Sequence, residues 1–327
     1  MKRLCFAVAL AALIGCGPGA NSNPSSGLPP PRGTPTEFTG VSGPTYITVG
    51  ADGNFWFTEN AANKVARMTM LGVATEFSTG ISSGAGPLQI APGPDGNLWF
   101  AESNTTRIGR ITTGGTVTEF SVGISGVPQG ITAGPDGALW FTEVANGTPK
   151  IGRITTAGAV TEFSAGITAG AFPFFITVGP DGALWFTEQN SNKIGRITTA
   201  GAVTEFSTGI TPNAGLTGIT QGIDGALWFV EFGASKIGRI TTAGVVTEFT
   251  TPSSSAGPIA IVSGPDGALW FTENSANKIG RITTGGATSD YDGLSLNSQP
   301  LGITAASDCA VWFAEVMGNR IGRTVAC

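Results

Sequence analysis

Residues 130–166 read GITAGPDGALWFTEVANGTPKIGRITTAGAVTEFSAG, and close copies of this text recur along the chain. Each copy contains one tryptophan, and the seven tryptophans stand 41 to 45 residues apart, at positions 56, 99, 140, 185, 228, 270 and 312. A period of about 42 residues, built from short apolar and β-branched runs between glycines, is typical of propeller blades. The repeat therefore predicts an all-β fold, a seven-bladed β-propeller with four antiparallel strands in each blade.

One repeat unit can be divided into four strands and three turns. The first run ends at 134–137, where Gly-Pro-Asp-Gly has the residues that a tight turn favours. The second run, 138–143, has large apolar residues on both faces, which indicates a strand packed between two blades. The third run, 150–156, and the fourth, 160–163, are separated by Ala-Gly. Gly152 interrupts the alternation of the third run and predicts a bend or a β-bulge there.

The two ends of the chain predict how the ring closes. The fourth strand of most units reads Thr-Glu-Phe, but the seventh unit stops at Cys327, after its third strand. A spare copy, residues 36–38, precedes the first unit. We therefore expect an N-terminal strand to complete the last blade, which leaves no open sheet edge at the junction.

The N-terminal residues have the pattern of an export signal. Lys2 and Arg3 precede a short apolar run, and the sequence Leu-Ile-Gly-Cys that ends at Cys16 resembles a bacterial lipobox. We predict a lipoprotein signal peptide at 1–16 with lipidation of Cys16, a flexible tether at 17–33, and the propeller at 34–327. The protein is then exported and anchored to the cell envelope, at the outer membrane if the host has one, and it contacts the membrane through the lipid alone. A plain secretory signal that happens to contain a cysteine is the alternative.

Two cysteines remain in the predicted propeller. Cys309 lies just before the second strand of the last unit, and Cys327 lies at the end of its third strand. Because antiparallel neighbours bring these ends together, we predict a disulfide, which suits an exported protein. Two free thiols are the alternative.

Composition excludes several functions. The chain contains no histidine, so catalytic arrangements of the Ser-His-Asp and Cys-His types are excluded. The formal net charge is −5, and no cluster of lysine and arginine could follow a phosphate backbone, so we expect no nucleic-acid partner. We expect a monomer.

Almost every charged residue belongs to the repeat. We expect these groups to form the same ion pairs and turn hydrogen bonds in each blade, because buried charges require partners. The alternative concerns the glutamates that follow the tryptophan strand, which could line a mouth of the channel and bind Mg²⁺ or Ca²⁺ through oxygen. They are Glu59, Glu102, Glu143, Glu188, Glu231, Glu273 and Glu315.

Variation between the copies predicts the ligand site. In a four-stranded meander, the first and third turns lie on one face of the ring, and the second turn and the interblade loops lie on the other. The first group is nearly invariant here and the second varies, which favours the second face as a binding surface. Neutral drift of the loops is the alternative. The predicted ligand-binding residues are Tyr46, Gln89, Gln129, Phe174 and Phe175, with Glu231 and Glu273.

The repeat GPDGALWFTE…NKIGRITTAGAVTEF resembles that of the streptogramin B lyase family over about residues 35–327. The resemblance implies a seven-bladed propeller that opens a cyclic depsipeptide by elimination, using Mg²⁺ and a histidine placed two residues after a glutamate. In this chain no histidine stands there; those positions hold Ala61, Asn104, Ala145, Asn190, Gly233, Ser275 and Met317. The scaffold is therefore expected to transfer without the family's chemistry.

Three hypotheses follow. The first is a non-catalytic scaffold that binds a small molecule, glycan, peptide or envelope protein, with hot spots near Tyr46, Phe174 and Phe175. The second is a metal-dependent lyase that uses carboxylates in place of histidine. The third is a metal-dependent lactonase-type hydrolase.

Overall fold

The computed structural model describes residues 35–145 and 147–327. These residues form 28 strands in seven four-stranded antiparallel sheets, which are the blades. In the described ranges there is no helix of the length and apolarity needed to span a membrane. The predicted seven-bladed β-propeller is confirmed. The signal peptide, Cys16 and the tether lie outside the described residues.

The strands follow one another in chain order around the ring. The first described strand is β1 (Thr36–Phe38), and blade 1 is formed by β2 (Ile47–Val49), β3 (Phe55–Glu59), β4 (Lys64–Met68) and β5 (Ala74–Phe77). Blades 2 and 3 are formed by β6 (Pro87–Pro92), β7 (Leu98–Glu102), β8 (Arg107–Ile111), β9 (Val117–Phe120), β10 (Val127–Ala133), β11 (Leu139–Ala145), β12 (Thr148–Ile154) and β13 (Val160–Phe163). Blades 4 and 5 are formed by β14 (Pro173–Val178), β15 (Leu184–Glu188), β16 (Lys193–Ile197), β17 (Val203–Phe206), β18 (Leu216–Gln221), β19 (Leu227–Glu231), β20 (Lys236–Ile240) and β21 (Val246–Thr250). Blade 6 is formed by β22 (Pro258–Ser263), β23 (Leu269–Glu273), β24 (Lys278–Ile282) and β25 (Thr288–Tyr291), and blade 7 by β26 (Pro300–Ala306), β27 (Ala310–Glu315) and β28 (Arg320–Val325) together with β1.

The tryptophan of each second strand anchors its blade. Trp140 is fully buried, its ring stacks on Phe163 of the outer strand at 5.5 Å, and its Nε1 donates to Asp136 Oδ1 at 3.0 Å. Arg153 donates to the other oxygen of Asp136 at 2.6 Å. One turn carboxylate thereby fixes both the indole and the third strand, and the other six blades place an aspartate beneath the tryptophan in the same way.

The expected bulge at Gly152 is wrong. Gly152 pairs in regular register with Phe141 on one side and Glu162 on the other, whereas the register shift lies in the first strand, between Pro128 and Ile131. A Cβ atom on Gly152 would overlap the ring of Phe141. The glycine is therefore required by the ring that covers it, and the backbone there stays regular.

The ring closes through β1, as predicted. This strand pairs antiparallel with β28, with Thr36 opposite Arg323 and Phe38 opposite Ile321, and it completes the sheet β1-β28-β27-β26. Ser295, in the loop that leads to blade 7, donates to Glu37 from its amide (2.6 Å) and its hydroxyl (2.5 Å). The first strands of all seven blades contact their neighbours around the axis.

A disulfide links the second and third strands of blade 7. Cys309 and Cys327 are joined with their Cα atoms 5.5 Å apart, and the amide of Ala326 donates to the carbonyl of Cys309 at 2.8 Å.

Candidate functional site

The two ends of the ring differ in sequence and in role. We call the end with the first and third turns, such as 134–137 and 155–158, the constant face. We call the end with the second turns, such as 189–192, and with the interblade loops the variable face. The sequence favours the variable face as the ligand surface, because the packing of the repeat does not prescribe its residues, and this stays a prediction.

The aromatic residues predicted for the site lie beneath the variable face. Tyr46, Phe174 and Phe175 stand at the beginning of first strands, and all three are buried in one hydrophobic cluster. The rings of Phe174 and Phe175 meet edge to face, with centroids 5.0 Å apart. Their position differs from the accessible hot spots expected from the sequence, since the seven first strands converge here and cover them. Whether they bind a ligand stays a prediction.

Glycines of neighbouring blades allow this convergence. A Cβ atom on Gly130 would overlap the carbonyl oxygen of Phe174, and a Cβ atom on Gly302 would overlap the backbone of Tyr46. Large side chains at the axis thus face glycines across the blade boundary. The sequence shows the same pattern, because one position of the first strands holds a bulky residue in some blades, such as Tyr46, and glycine in others, such as Gly130 and Gly302.

The two predicted glutamines lie at the same depth. Gln89 is fully buried, and its Oε1 accepts a hydrogen bond from the amide of Ile131 in the next blade. Within the described part of the chain, Gln89 Nε2 and Gln129 Oε1 have no hydrogen-bond partner. A buried amide group without a partner destabilises the fold by about 1–3 kcal/mol, so a ligand or a water that pairs with it would be stabilising.

The accessible apolar side chains of the variable face include residues that were not predicted for the site. Phe232 and Met317 lie in the second turns of blades 5 and 7, and Leu296 lies in the loop that leads to blade 7. Leu296 is 92% exposed. Sequence reasoning did not single out these three residues, although each is larger and more apolar than most of the residues that other copies place there.

Glu231 and Glu273 stand at the ends of β19 and β23, and both are fully buried. Glu231 is fully buried opposite Lys236 on the third strand, and it lies within hydrogen-bonding distance of Glu248 on the outer strand. Glu248 accepts from Lys236 Nζ at 2.6 Å and from the amide and hydroxyl of Thr211 at 2.5 and 2.7 Å. The alternative that these glutamates line a mouth of the channel stays a prediction, and their complete burial does not favour it.

The two glutamates of this pair have opposite pKa shifts. Burial, and then the charge of Glu248, raises the pKa of Glu231 to about 8. Burial also favours the neutral form of Glu248, but the hydrogen bonds from Lys236 and Thr211 outweigh it and lower the pKa of Glu248. No donor in the described residues reaches either oxygen of Glu231, so the hydrogen bond between the two carboxyl groups requires a proton on Glu231.

The same arrangement recurs around the ring. Burial is the main cause of a raised pKa in all seven second-strand glutamates, to about 7 in Glu59, Glu102, Glu273 and Glu315 and to about 8 in Glu143, Glu188 and Glu231. In six blades a hydrogen bond joins this glutamate to the outer-strand glutamate. Blade 6 has the shorter Asp290 instead, and there Glu273 bonds to Ser253. The repeated ion pairs expected from the sequence are present, and beside each lies a second carboxyl group whose pKa is raised.

This geometry does not fit a Mg²⁺ site. The ion takes several oxygen ligands around one centre. Among residues 35–145 and 147–327, no three of His, Cys, Asp and Glu are grouped so as to hold a metal. In each blade the cation beside the two carboxyl groups is a lysine or an arginine of the third strand.

Comparison with known proteins identifies the relatives of this scaffold. A profile of the virginiamycin B lyase family matches residues 34–265 and 173–326, which together span the propeller. The chain belongs to the virginiamycin B lyase family. A search of curated proteins gave no match.

Solved structures agree with that assignment. A catalytically inactive virginiamycin B lyase from Staphylococcus aureus, in which one histidine is replaced by alanine, was solved with quinupristin. It is 41% identical, with a TM-score of 0.82 over 88% of this chain and 98% of that one. A streptogramin B lyase structure is 40% identical, with a TM-score of 0.82 over 88% and 96% of the two chains. The extracellular domain of a hybrid two-component system from B. thetaiotaomicron, 14% identical with a TM-score of 0.73 over 90% and 43% of the chains, shares the fold alone.

Proposed function

We propose that this chain is an exported, lipid-anchored member of the virginiamycin B lyase family that binds a ligand on its variable face without catalysing a reaction. The observation that carries the proposal is chemical: the chain has no histidine, and its repeated glutamates are buried and bound to their neighbours. A general base must be able to reach the proton that it removes. Glu231 and Glu273 are covered by their own blades, so a substrate on the surface could not contact them.

A relative supports binding without turnover. The S. aureus enzyme with one histidine replaced is described as catalytically inactive, yet it was solved with quinupristin. A propeller of this family can thus hold its ligand when a histidine is missing. The match between the two chains is 41% identical in sequence, so a compound of the quinupristin type is a suitable first probe.

The variable face offers both apolar and polar contacts for such a ligand. Phe232, Leu296 and Met317 present accessible apolar surface, and Gln89 and Gln129, in blades 2 and 3, have buried amide atoms without a hydrogen-bond partner among the described residues. Aromatic side chains that become buried on binding are the usual anchors of an interface. Phe232 is therefore the residue whose loss should weaken binding most.

Calorimetric titration of the purified propeller with quinupristin tests the binding proposal. We expect saturable binding, weakened about tenfold (~1.4 kcal/mol) by Phe232→Ala. Val245→Ala, at a more exposed apolar site on the constant face, is the control and should leave the affinity unchanged. If quinupristin, other cyclic peptides and envelope glycans all fail to bind, the binding proposal is wrong.

The raised pKa of Glu231 favours a second function, a lyase that uses a carboxylate as its base. Chromatography of quinupristin after incubation, with Mg²⁺ and with EDTA, separates the two functions, because ring opening gives a linear isomer. We expect the cyclic form to be recovered intact. Ring opening that Glu231→Gln or Glu273→Gln abolishes would establish the lyase instead.

Anchoring is tested separately. In a bacterial host that exports the full chain, labelled palmitate should be incorporated into the native protein and not into Cys16→Ser. Incorporation into both proteins, or into neither, would contradict a lipid on Cys16.

A further inference from the structure

The first described strand enters the propeller at the constant face. Thr36 pairs with Arg323, which donates to Asp308 in the first turn of blade 7 at 2.7 Å. The chain that precedes Thr36 therefore joins the ring at the end where the invariant turns lie.

A large apolar turn lies beside this point. The third turn of blade 1 contains Met70, Leu71 and Val73, and Leu71 is 88% exposed. Gly72, in the same turn, lies against the ring of Phe38 in β1. The repeat does not require such residues, because the equivalent turns of blades 2 to 6 contain chiefly Thr, Gly and Ala, at 113–116, 156–159, 199–202, 242–245 and 284–287.

The same face carries further exposed apolar residues and balanced charge. Ile223 and Val245 are exposed in the first and third turns of blade 5. The seven turn aspartates of the constant face have seven arginines as partners. The remaining acidic residues, Asp292 among them, belong to the other half of the ring, where acidic residues outnumber basic ones. The excess of negative charge in that half grows as the buried glutamates ionise.

The predicted tether alone would not hold the ring in one orientation. About 19 residues separate Cys16 from β1, and a flexible chain of that length spans roughly 25 Å on average and at most about 65 Å. Such a chain allows the propeller to tumble near the surface. A second, weaker contact with the lipid is needed to select one face, as with peripheral proteins that combine an acyl chain with an apolar or basic patch.

We infer that the apolar turn formed by Met70, Leu71 and Val73 is a lipid-contacting rim, which rests on the membrane and directs the variable face outward. The inference rests on the proposed lipid anchor at Cys16. The rim's partner is a lipid surface, because the turn is uncharged and lies beside the point where the tether joins β1. The turn also stands on the half of the ring that has no excess of negative charge. That half would approach an anionic membrane with the least repulsion.

Site-directed fluorescence on vesicles tests the orientation. The full-length lipidated protein, purified from the membranes of an exporting host, is reconstituted into vesicles of phosphatidylethanolamine with a minority of phosphatidylglycerol. An environment-sensitive dye is attached to Leu71→Cys or, on the opposite face, to Leu296→Cys. Native Cys309 and Cys327 are joined and do not compete for the dye.

We expect lipids that carry a quencher in their acyl chains to quench the dye at position 71 several-fold more than the dye at position 296. Adding Met70→Ser and Val73→Ser to the Leu71→Cys protein should reduce that difference, and both exchanges lie on an exposed turn and should not disturb folding. Equal quenching at the two positions, or stronger quenching at 296, would overturn the rim while leaving the anchor intact. Failure of the native protein to float with the vesicles would instead refute the anchor, and the rim with it.

Discussion

Replacing Glu231 by glutamine should remove the loss of stability that this residue causes as the pH rises from 4.5 to 8. In the folded protein burial and Glu248 raise the pKa of Glu231 to about 8, against a usual value of 4.5. Below pH 4.5 the side chain is neutral in both the folded and the unfolded protein, so it has no effect on the pH dependence. Between pH 4.5 and 8 the unfolded chain has lost this proton and the folded chain retains it, so the free energy of unfolding falls as the pH rises.

The size of the effect follows from the shift. A difference of one pKa unit corresponds to about 1.4 kcal/mol, so the full window between 4.5 and 8 amounts to about 3–5 kcal/mol for this single blade. Glutamine cannot ionise, and its amide can still donate a hydrogen bond to Glu248. Glu231→Gln should therefore resemble the native protein at pH 5 and exceed its stability by up to that amount at pH 9.

Urea unfolding, followed by the fluorescence of the buried tryptophans at pH 5, 7 and 9, measures the difference. Glu248→Gln is the matched control in the same blade. It removes the carboxylate that Lys236 and Thr211 bind, so it should destabilise the protein at pH 7 and pH 9. If Glu231→Gln lost stability equally at all three values, Glu231 would be ionised in the folded protein, and the shared-proton account would be refuted.

Three further outcomes are expected. Gly152→Ala should lower the free energy of unfolding by about 1–3 kcal/mol in urea titrations, because its Cβ overlaps the ring of Phe141, whereas Ala157→Ser on an exposed turn should change little. Reduction of the disulfide between Cys309 and Cys327 should cost about 3 kcal/mol, measured as a lower urea midpoint with dithiothreitol, and an unchanged midpoint would show that the bond contributes nothing. Glu37→Ala removes both hydrogen bonds to Ser295, so hydrogen exchange at the amides of β28 should accelerate before exchange in other blades does; uniform acceleration would contradict a local role at the closure.

The architecture could be predicted because each blade repeats the same solution. The tryptophan spacing, the Gly-Pro-Asp-Gly turns and the spare Thr-Glu-Phe copy are local patterns, and the structure places each of them as expected. Ring closure through Thr36 was predictable for a further reason, since a missing fourth strand at one end of the chain matches an extra one at the other.

The site was less predictable, because burial depends on how blades meet. Tyr46 and Phe174 stand in segments that vary between copies, which suggested exposure, but seven first strands converge on one axis and cover them. The opposed pKa shifts of Glu231 and Glu248 could not be inferred from the sequence either. Burial raises the pKa of Glu231, and hydrogen bonds from Lys236 and from Thr211, in the loop that leads from the preceding blade, lower the pKa of Glu248. The repeated Gly-Ile-Ser or Gly-Ile-Thr in four of those loops was the available signal, and it locates the donor residues Ser82, Ser125, Thr168 and Thr211.

The junction at blade 7 also imposes an order of events during biosynthesis. Glu37 and Ser295 bond across 258 residues of sequence, and β1 acquires its partner β28 only after all the strands between them have been synthesised. Until then the three residues of β1 have no strand beside them, and the earlier blades form an open arc with a bare edge that invites pairing with other chains. The chain should therefore be most prone to pair with other chains in the interval between the synthesis of β25 and that of β28.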